Sequence, residues 1–167
     1  MSEMLDLIKK RRSIRKYTDE PVSDEEIRTM LEAAMAAPSA NNSQPWEFVV
    51  VRDADLRRQL AQTHPWSGMC AGAPVVFVVC AHESRSSHWV EDASAATENL
   101  LLAAAGLDLG AVWVGIYPNQ EREAHVRKVL GIPDDVRVLC LVPVGHPAES
   151  KPPRTQYDPQ KVHYDGY

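Results

Sequence analysis

Residues 74–81 read PVVFVVCA. Pro74 opens the stretch, and seven apolar residues follow without a polar interruption. Strict alternation would mark a strand with one wet face, whereas an unbroken apolar run of strand length marks a strand buried on both. Such a strand needs a layer of structure on each side. Downstream, residues 90–107 read as a long helix whose alanines at 93, 95, 96, 103, 104 and 105 make it slim and nearly all apolar, which implies burial on most sides. Residues 111–116 form a third strand. Residues 121–130 form a helix closed by Gly131 and followed by Pro133, and residues 136–144 form a fourth strand. Upstream, the β-rich run 46–51 lies between Pro45 and Asp53, and a helix over about 54–63 joins it to the central run. Ser23-Asp24-Glu25-Glu26 is a capping box. Behind it Ile27, Met30, Leu31, Ala34 and Met35 keep helical spacing until Pro38 stops the helix. Ser2 is placed to cap a first helix through Lys10, with Met4, Leu5 and Ile8 inward.

Helices come first, then strands alternate with helices. That order predicts an α/β or α+β layered sandwich around a buried central sheet. Helix 90–107 presents more apolar surface than four strands can cover, which points to a partner subunit. From His146 the texture changes. HPAESKPPRTQYDPQKVHYDGY has four prolines, three tyrosines and no helical period, and cannot form its own core. It reads as an extended arm laid on another surface.

Length and composition set bounds. A chain of 167 residues suits one domain. Net charge is −5, against a general nucleic-acid binder. The positive charge is nevertheless clustered: Lys9, Lys10, Arg11, Arg12, Arg15 and Lys16 fall within eight positions. Three cysteines without a C-x-x-C argue against a disulfide framework or a zinc site. MSEMLDLIKK has no long apolar stretch after a basic head, and the tract 100–116 is broken by Asp108 and by glycines, so neither a secretory signal nor a membrane span is expected. The expectation is a cytoplasmic protein.

Four segments could carry chemistry. Arg11-Arg12-Ser13-Ile14-Arg15 offers guanidinium forks and a hydroxyl that match phosphate oxygens, although an isolated R-R-S reads equally as a solvated turn. Residues 37–46, APSANNSQPW, offer amides with both donors and acceptors, suited to the edge of a flat heterocycle or simply to a turn. Residues 110–115, GAVWVG, put a glycine at a strand end, where backbone can approach a ligand. Lys151-Pro-Pro-Arg154 is a late basic pair or a solubilising tail. His82 and His88 flank a polar loop and read as surface histidines rather than metal ligands. No dinucleotide-binding G-x-G-x-x-G, P-loop, nucleophile elbow or H-E-x-x-H occurs.

Taken together and in order, RRSIRKY (11–17), PVSDEEIRTMLEAAMAAPSANNSQPWEFVVV (21–51), GLDLGAVWVGIY (106–117) and VGHPAESKPPR (144–154) resemble the nitroreductase family of FMN enzymes. The resemblance runs over nearly the whole chain. It implies an α+β three-layer sandwich with a central mixed sheet flanked by helices, as a single domain over 1–167. It also implies an intertwined homodimer, with the arm 146–167 on the partner. Two FMN molecules would lie in the dimer interface. Arg11, Arg12, Ser13 and Arg15 would hold the phosphate and ribityl chain from one subunit, joined by Arg154. Pro38, Ser39, Ala40, Asn42 and Gln44 would line the isoalloxazine from the other. Trp113, Val114 and Gly115 would approach the ring near N5 and O4. Larger members have a glutamate where this chain has Val114, and their asparagine and lysine after the QPW strand have no clear counterpart around His64 to Cys70. The implied activity is ping-pong hydride transfer from NADH or NADPH through FMN to nitroaromatic, quinone or similar electrophilic acceptors, with no catalytic side chain. Two alternatives share the scaffold: a reductive dehalogenase or flavin-fragmenting enzyme, for which 83–88 is the one candidate lid, and a non-catalytic flavin-binding module. An anion-binding protein using only the basic N-terminus is a third.

Overall fold

The computed structural model describes residues 3–167. Five helices, α1 (Glu3–Lys10), α2 (Asp24–Met35), α3 (Ala54–Leu60), α4 (Trp89–Gly106) and α5 (Gln120–Leu130), surround five strands. These are β1 (Trp46–Val51), β2 (Val75–Ala81), β3 (Gly110–Ala111), β4 (Val114–Gly115) and β5 (Arg137–Gly145). Sheet order is β1-β2-β5-β3, and β4 also pairs with β5.

β2 is buried at every one of its seven positions, as its unbroken apolar run requires. Because side chains alternate along a strand, it feeds two cores. Val75, Phe77, Val79 and Ala81 join the core under α2 and α4. Val76, Val78 and Cys80 join the core under α3 and α5, with Leu60 and Val126. The result is the three-layer α+β sandwich.

The ladders β1–β2, β2–β5, β3–β5 and β4–β5 are all antiparallel. The expected mixed sheet is therefore corrected. Its only parallel pairing among the described residues is the bridge Ser13–Ala111. Continuous hydrophobicity reports two covered faces and is silent on strand direction. The four anticipated strands become five for a local reason. Ala111 pairs with Val144 and Val114 with Leu141 in one common register, so β3 and β4 are a single edge strand interrupted at Val112–Trp113. On β5 the register slips between Val79 and Cys80 of its partner, leaving Leu139 as an extra residue. That bulge lets the adjacent Leu139 and Cys140 face the same core.

The capping box forms: Ser23 Oγ accepts from Glu26 N–H, and the Glu26 carboxylate accepts from Ser23 N–H at 2.7 Å. Gly131 ends α5 with φ of 67°. The cap assigned to Ser2 lies outside the described residues. α1 differs from expectation. Met4, Leu5 and Ile8 are 71%, 49% and 47% exposed, because α1 meets α4 through Leu7, next to Gly106. Its apolar side faces outward in the single chain. The three cysteines are free and buried, and burial pushes the Cys70 and Cys80 thiols up to about 12. They act as small hydrophobes. No helix among the described residues is long and apolar enough to cross a membrane.

Candidate ligand-binding cleft

The basic N-terminal segment is placed by the edge of the sheet. Ile14 N–H donates to the Ala111 carbonyl at 2.9 Å, and Tyr17 bridges Pro147. Tyr17 Oη–H is shared between the Ile14 carbonyl at 2.6 Å and the Pro143 carbonyl at 3.1 Å, and burial raises its pKa well above the usual phenol value. Ile14 packs so closely on β3 that a Cβ on Gly110 would lie 2.5 Å from Ile14 Cγ2, which explains the glycine.

This docking carries Arg15 to the break in the edge strand. There a cleft of about 560 Å³ opens between Arg15, the turn His64–Met69 and the stretch Val112–Gly115. The volume lies within the range of small-molecule sites. A Cβ on Gly115 or on Gly68 would meet nothing within 4 Å, so both glycines leave open space at the wall. Among the described residues no carboxylate lies within ion-pair distance of the Arg15 guanidinium; its backbone N–H donates to Glu149 Oε1 at 2.6 Å. Arg122 adds a second cation behind the cleft, 3.4 Å from the Gly115 carbonyl.

His64 is the polar group of the 64–69 turn. Its Nδ1 accepts from Trp66 N–H at 3.1 Å, which assigns the proton to Nε2. Nε2 is buried and has no hydrogen-bond partner. Burial and the Arg122 charge lower the His64 pKa, so the ring stays neutral at physiological pH. The sequence reading did not assign this turn to the site. Its signal was present as H-P-W-S-G, a turn-forming string holding an aromatic side chain with no core to join.

The other expected residues fall in separate places. Arg11 pairs with Glu98 at 3.5 Å and lines a groove of about 230 Å³ with Lys9 and Arg154. Arg12 donates to the Pro152 carbonyl, and the Ser13 carbonyl accepts from Lys151 Nζ at 2.5 Å. The first part of the arm therefore packs on its own chain. Residues 146–154 run antiparallel to 9–18, through Thr18 N–H to His146 O at 2.9 Å and Arg154 N–H to Lys9 O at 3.1 Å. Pro38, Ser39, Ala40, Asn42 and Gln44 share the turn between α2 and β1, and none of them lines the cleft within the one chain. His82 and His88 approach separate carboxylates, Glu47 at 2.7 Å and Glu91 at 3.9 Å, and no metal-binding cluster occurs among the described residues.

Sandwich and cleft define the class: a three-layer α+β protein with a cation-rimmed cleft at the interrupted edge of its sheet. The model of the nitroreductase family matches residues 8–64 and 59–146. A provisionally named NADH dehydrogenase/NAD(P)H nitroreductase of Archaeoglobus fulgidus is 43% identical over 98% of both chains. An FMN-dependent nitroreductase from Clostridium difficile superposes with a TM-score of 0.94 at 31% identity, over 98% of this chain and 99% of that one. A provisionally named nitroreductase from Desulfovibrio desulfuricans, solved in complex with FMN, does so with a TM-score of 0.85 at 33% identity, over 100% and 99%. This chain belongs to the nitroreductase family.

Proposed function

We propose that the protein is an FMN-dependent NAD(P)H oxidoreductase that reduces electrophilic organic acceptors such as quinones or nitroaromatics by a ping-pong course. The observation that carries this reading is the meeting of Arg15 with Val114–Gly115 in one cleft. Two sequence-assigned segments about a hundred residues apart form one wall, with open space at Gly115 and the Arg15 guanidinium as its donor. A flat heterocycle bearing carbonyl oxygens fits such a wall. Lys9, Arg11 and Arg154 around a separate groove suit a phosphate.

When bound, FMN supplies the hydride-carrying centre, and the chain supplies binding and electrostatics. Arg11, Arg12, Ser13 and Arg154 would hold the phosphate and ribityl chain. Trp113, Val114 and Gly115 would approach the ring. Arg15, without a carboxylate partner among the described residues, would stabilise negative charge that develops on reduction. Pro38, Ser39, Ala40, Asn42 and Gln44 would meet the ring from the second subunit of a homodimer, which accounts for their distance from the cleft of their own chain. The segment beyond Arg154 would be the part of the arm that reaches the partner. Three free thiols suit the reducing cytoplasm.

The test is the visible spectrum of the purified protein, before and after anaerobic NADH or NADPH. A flavin spectrum that bleaches, then returns on adding a quinone, supports the reading. A colourless protein that FMN does not reconstitute sinks it.

A further inference from the structure

The turn at 39–44 is held in a conformation that its residues do not favour. Asn41, Asn42 and Gln44 have φ of 53°, 53° and 45°. Asparagine tolerates the left-handed region, but glutamine gains nothing there. Non-glycine residues stay in that region only where their surroundings over-determine them, and such sites cluster at ligand clamps. Inside the turn, Asn42 N–H donates to Ser39 O and Ser43 N–H to Ala40 O, both at 3.0 Å. Gln44 N–H donates to Ser39 Oγ, and Gln44 Nε2 to Asn42 Oδ1, also at 3.0 Å.

From outside the turn comes one carboxylate. Ala40 N–H donates to Asp92 Oδ1 at 2.8 Å, and Ser86 Oγ–H donates to Asp92 Oδ2 at 2.7 Å. Asp92 is 5% exposed and Ser86 8% exposed. Among the described residues no lysine, arginine or histidine pairs with Asp92. A buried carboxylate without a cation is costly, and two features make it tenable here. It lies in the first turn of α4, where the helix dipole favours negative charge, and both its oxygens accept hydrogen bonds. Ser86 Oγ in turn accepts from His88 N–H at 3.1 Å, so the polar loop 82–88 is tied to the same point.

We propose that Asp92 is a positioning residue for the flavin-ring turn. Its carboxylate, oriented by Ser86, clamps Ala40 N–H and thereby fixes the amides of Asn42 and Gln44 that would meet the isoalloxazine. The inference rests on the reading of residues 38–44 as a flavin contact. It gives the loop 82–88 a role as a support for that turn.

The test uses full-length Asp92→Ala, Asp92→Asn and Ser86→Ala. FMN affinity is read by fluorescence titration, ring environment by visible circular dichroism of the bound flavin, and folding by thermal unfolding of the flavin-free protein. Asp92→Ala is expected to raise the FMN Kd about tenfold and change the visible dichroism, the effect of losing one charge-assisted hydrogen bond. Asp92→Asn keeps an acceptor for Ala40 and a donor for Ser86 Oγ, so it should recover most of the affinity. Ser86→Ala, a milder change that should still fold, should weaken binding about threefold. Unchanged affinity and dichroism in Asp92→Ala, or in Ser86→Ala if the former fails to fold, would overturn the proposal. So would an Asp92→Asn protein that behaves like Asp92→Ala. A wild-type protein that never binds FMN defeats the flavin reading itself, which separates the two failures.

Discussion

Glu123 on α5 is 3% exposed, and its carboxylate receives Arg137 Nε–H at 2.9 Å and Val138 N–H at 2.9 Å, with Arg127 Nη2 at 3.3 Å. Burial pushes its carboxyl up, but the Arg137 and Val138 hydrogen bonds and the two guanidinium charges outweigh that and hold it below the usual carboxylate range. A lowered folded value means stability that is present above the unfolded pKa of about 4.3 and lost as pH falls through the folded one. Glu123→Gln should cost about 3 kcal/mol at pH 7, read from urea midpoints, with the difference shrinking in acid. The low end of the range applies because Arg127 and Arg137 remain 21% and 24% exposed. His64 has the same sign: its lowered pKa adds stability above about pH 6.5 that fades as pH falls. His64→Gln should remove that acid-side slope from the pH dependence of unfolding. Gly115→Leu should leave unfolding nearly unchanged, since its Cβ meets nothing, yet raise the FMN Kd at least about tenfold by filling the cleft. Gly115 was marked in the sequence as a strand-end glycine, but the neighbourhoods of Glu123 and His64 were not legible there. Glu123 looks like any helix-surface acid until β5 packs beneath it, and the partners of His64 depend on how one turn closes.

At the scale of elements, legibility followed local physics. β1 and β2 were bounded correctly because Pro45 and Asp53 flank a β-rich run in the first and Pro74 opens an uninterrupted apolar run in the second. α2 was delimited by its capping box and α5 by Gly131. Ser23→Ala should destabilise the protein by about 1 kcal/mol, seen as a lower urea midpoint at unchanged slope. Three features escaped. The interruption at Val112–Trp113 and the bulge at Leu139 lie in apolar strings that read as plain strands. The outward face of α1 escaped because helical periodicity marks an apolar side without saying what covers it.

At the scale of the molecule, Met4 and Ile8 on α1 face outward, and on α4 Ser94, Ala95, Leu102 and Ala105 are only partly buried. The proposed homodimer would cover this ground. Met4→Asp with Ile8→Asp should shift the protein toward monomer in analytical ultracentrifugation and weaken FMN binding with it, since the ring turn is expected from the second subunit. Unchanged sedimentation would place the interface elsewhere. The sequence by itself determined the layers, because hydrophobic period and caps are local signals that survive in any context. It also marked the basic N-terminal segment, the amide turn and the glycine at the strand end, because their residue types carry chemistry before they are folded. Only the tertiary structure decided that the ladders run antiparallel, that Arg15 rather than Arg11 or Arg12 reaches the cleft, that the turn at 64–69 forms its far wall, and that the arm starts on its own chain. Those outcomes follow from pairing between segments far apart in the chain, which depends on shape and register rather than on the composition of either segment.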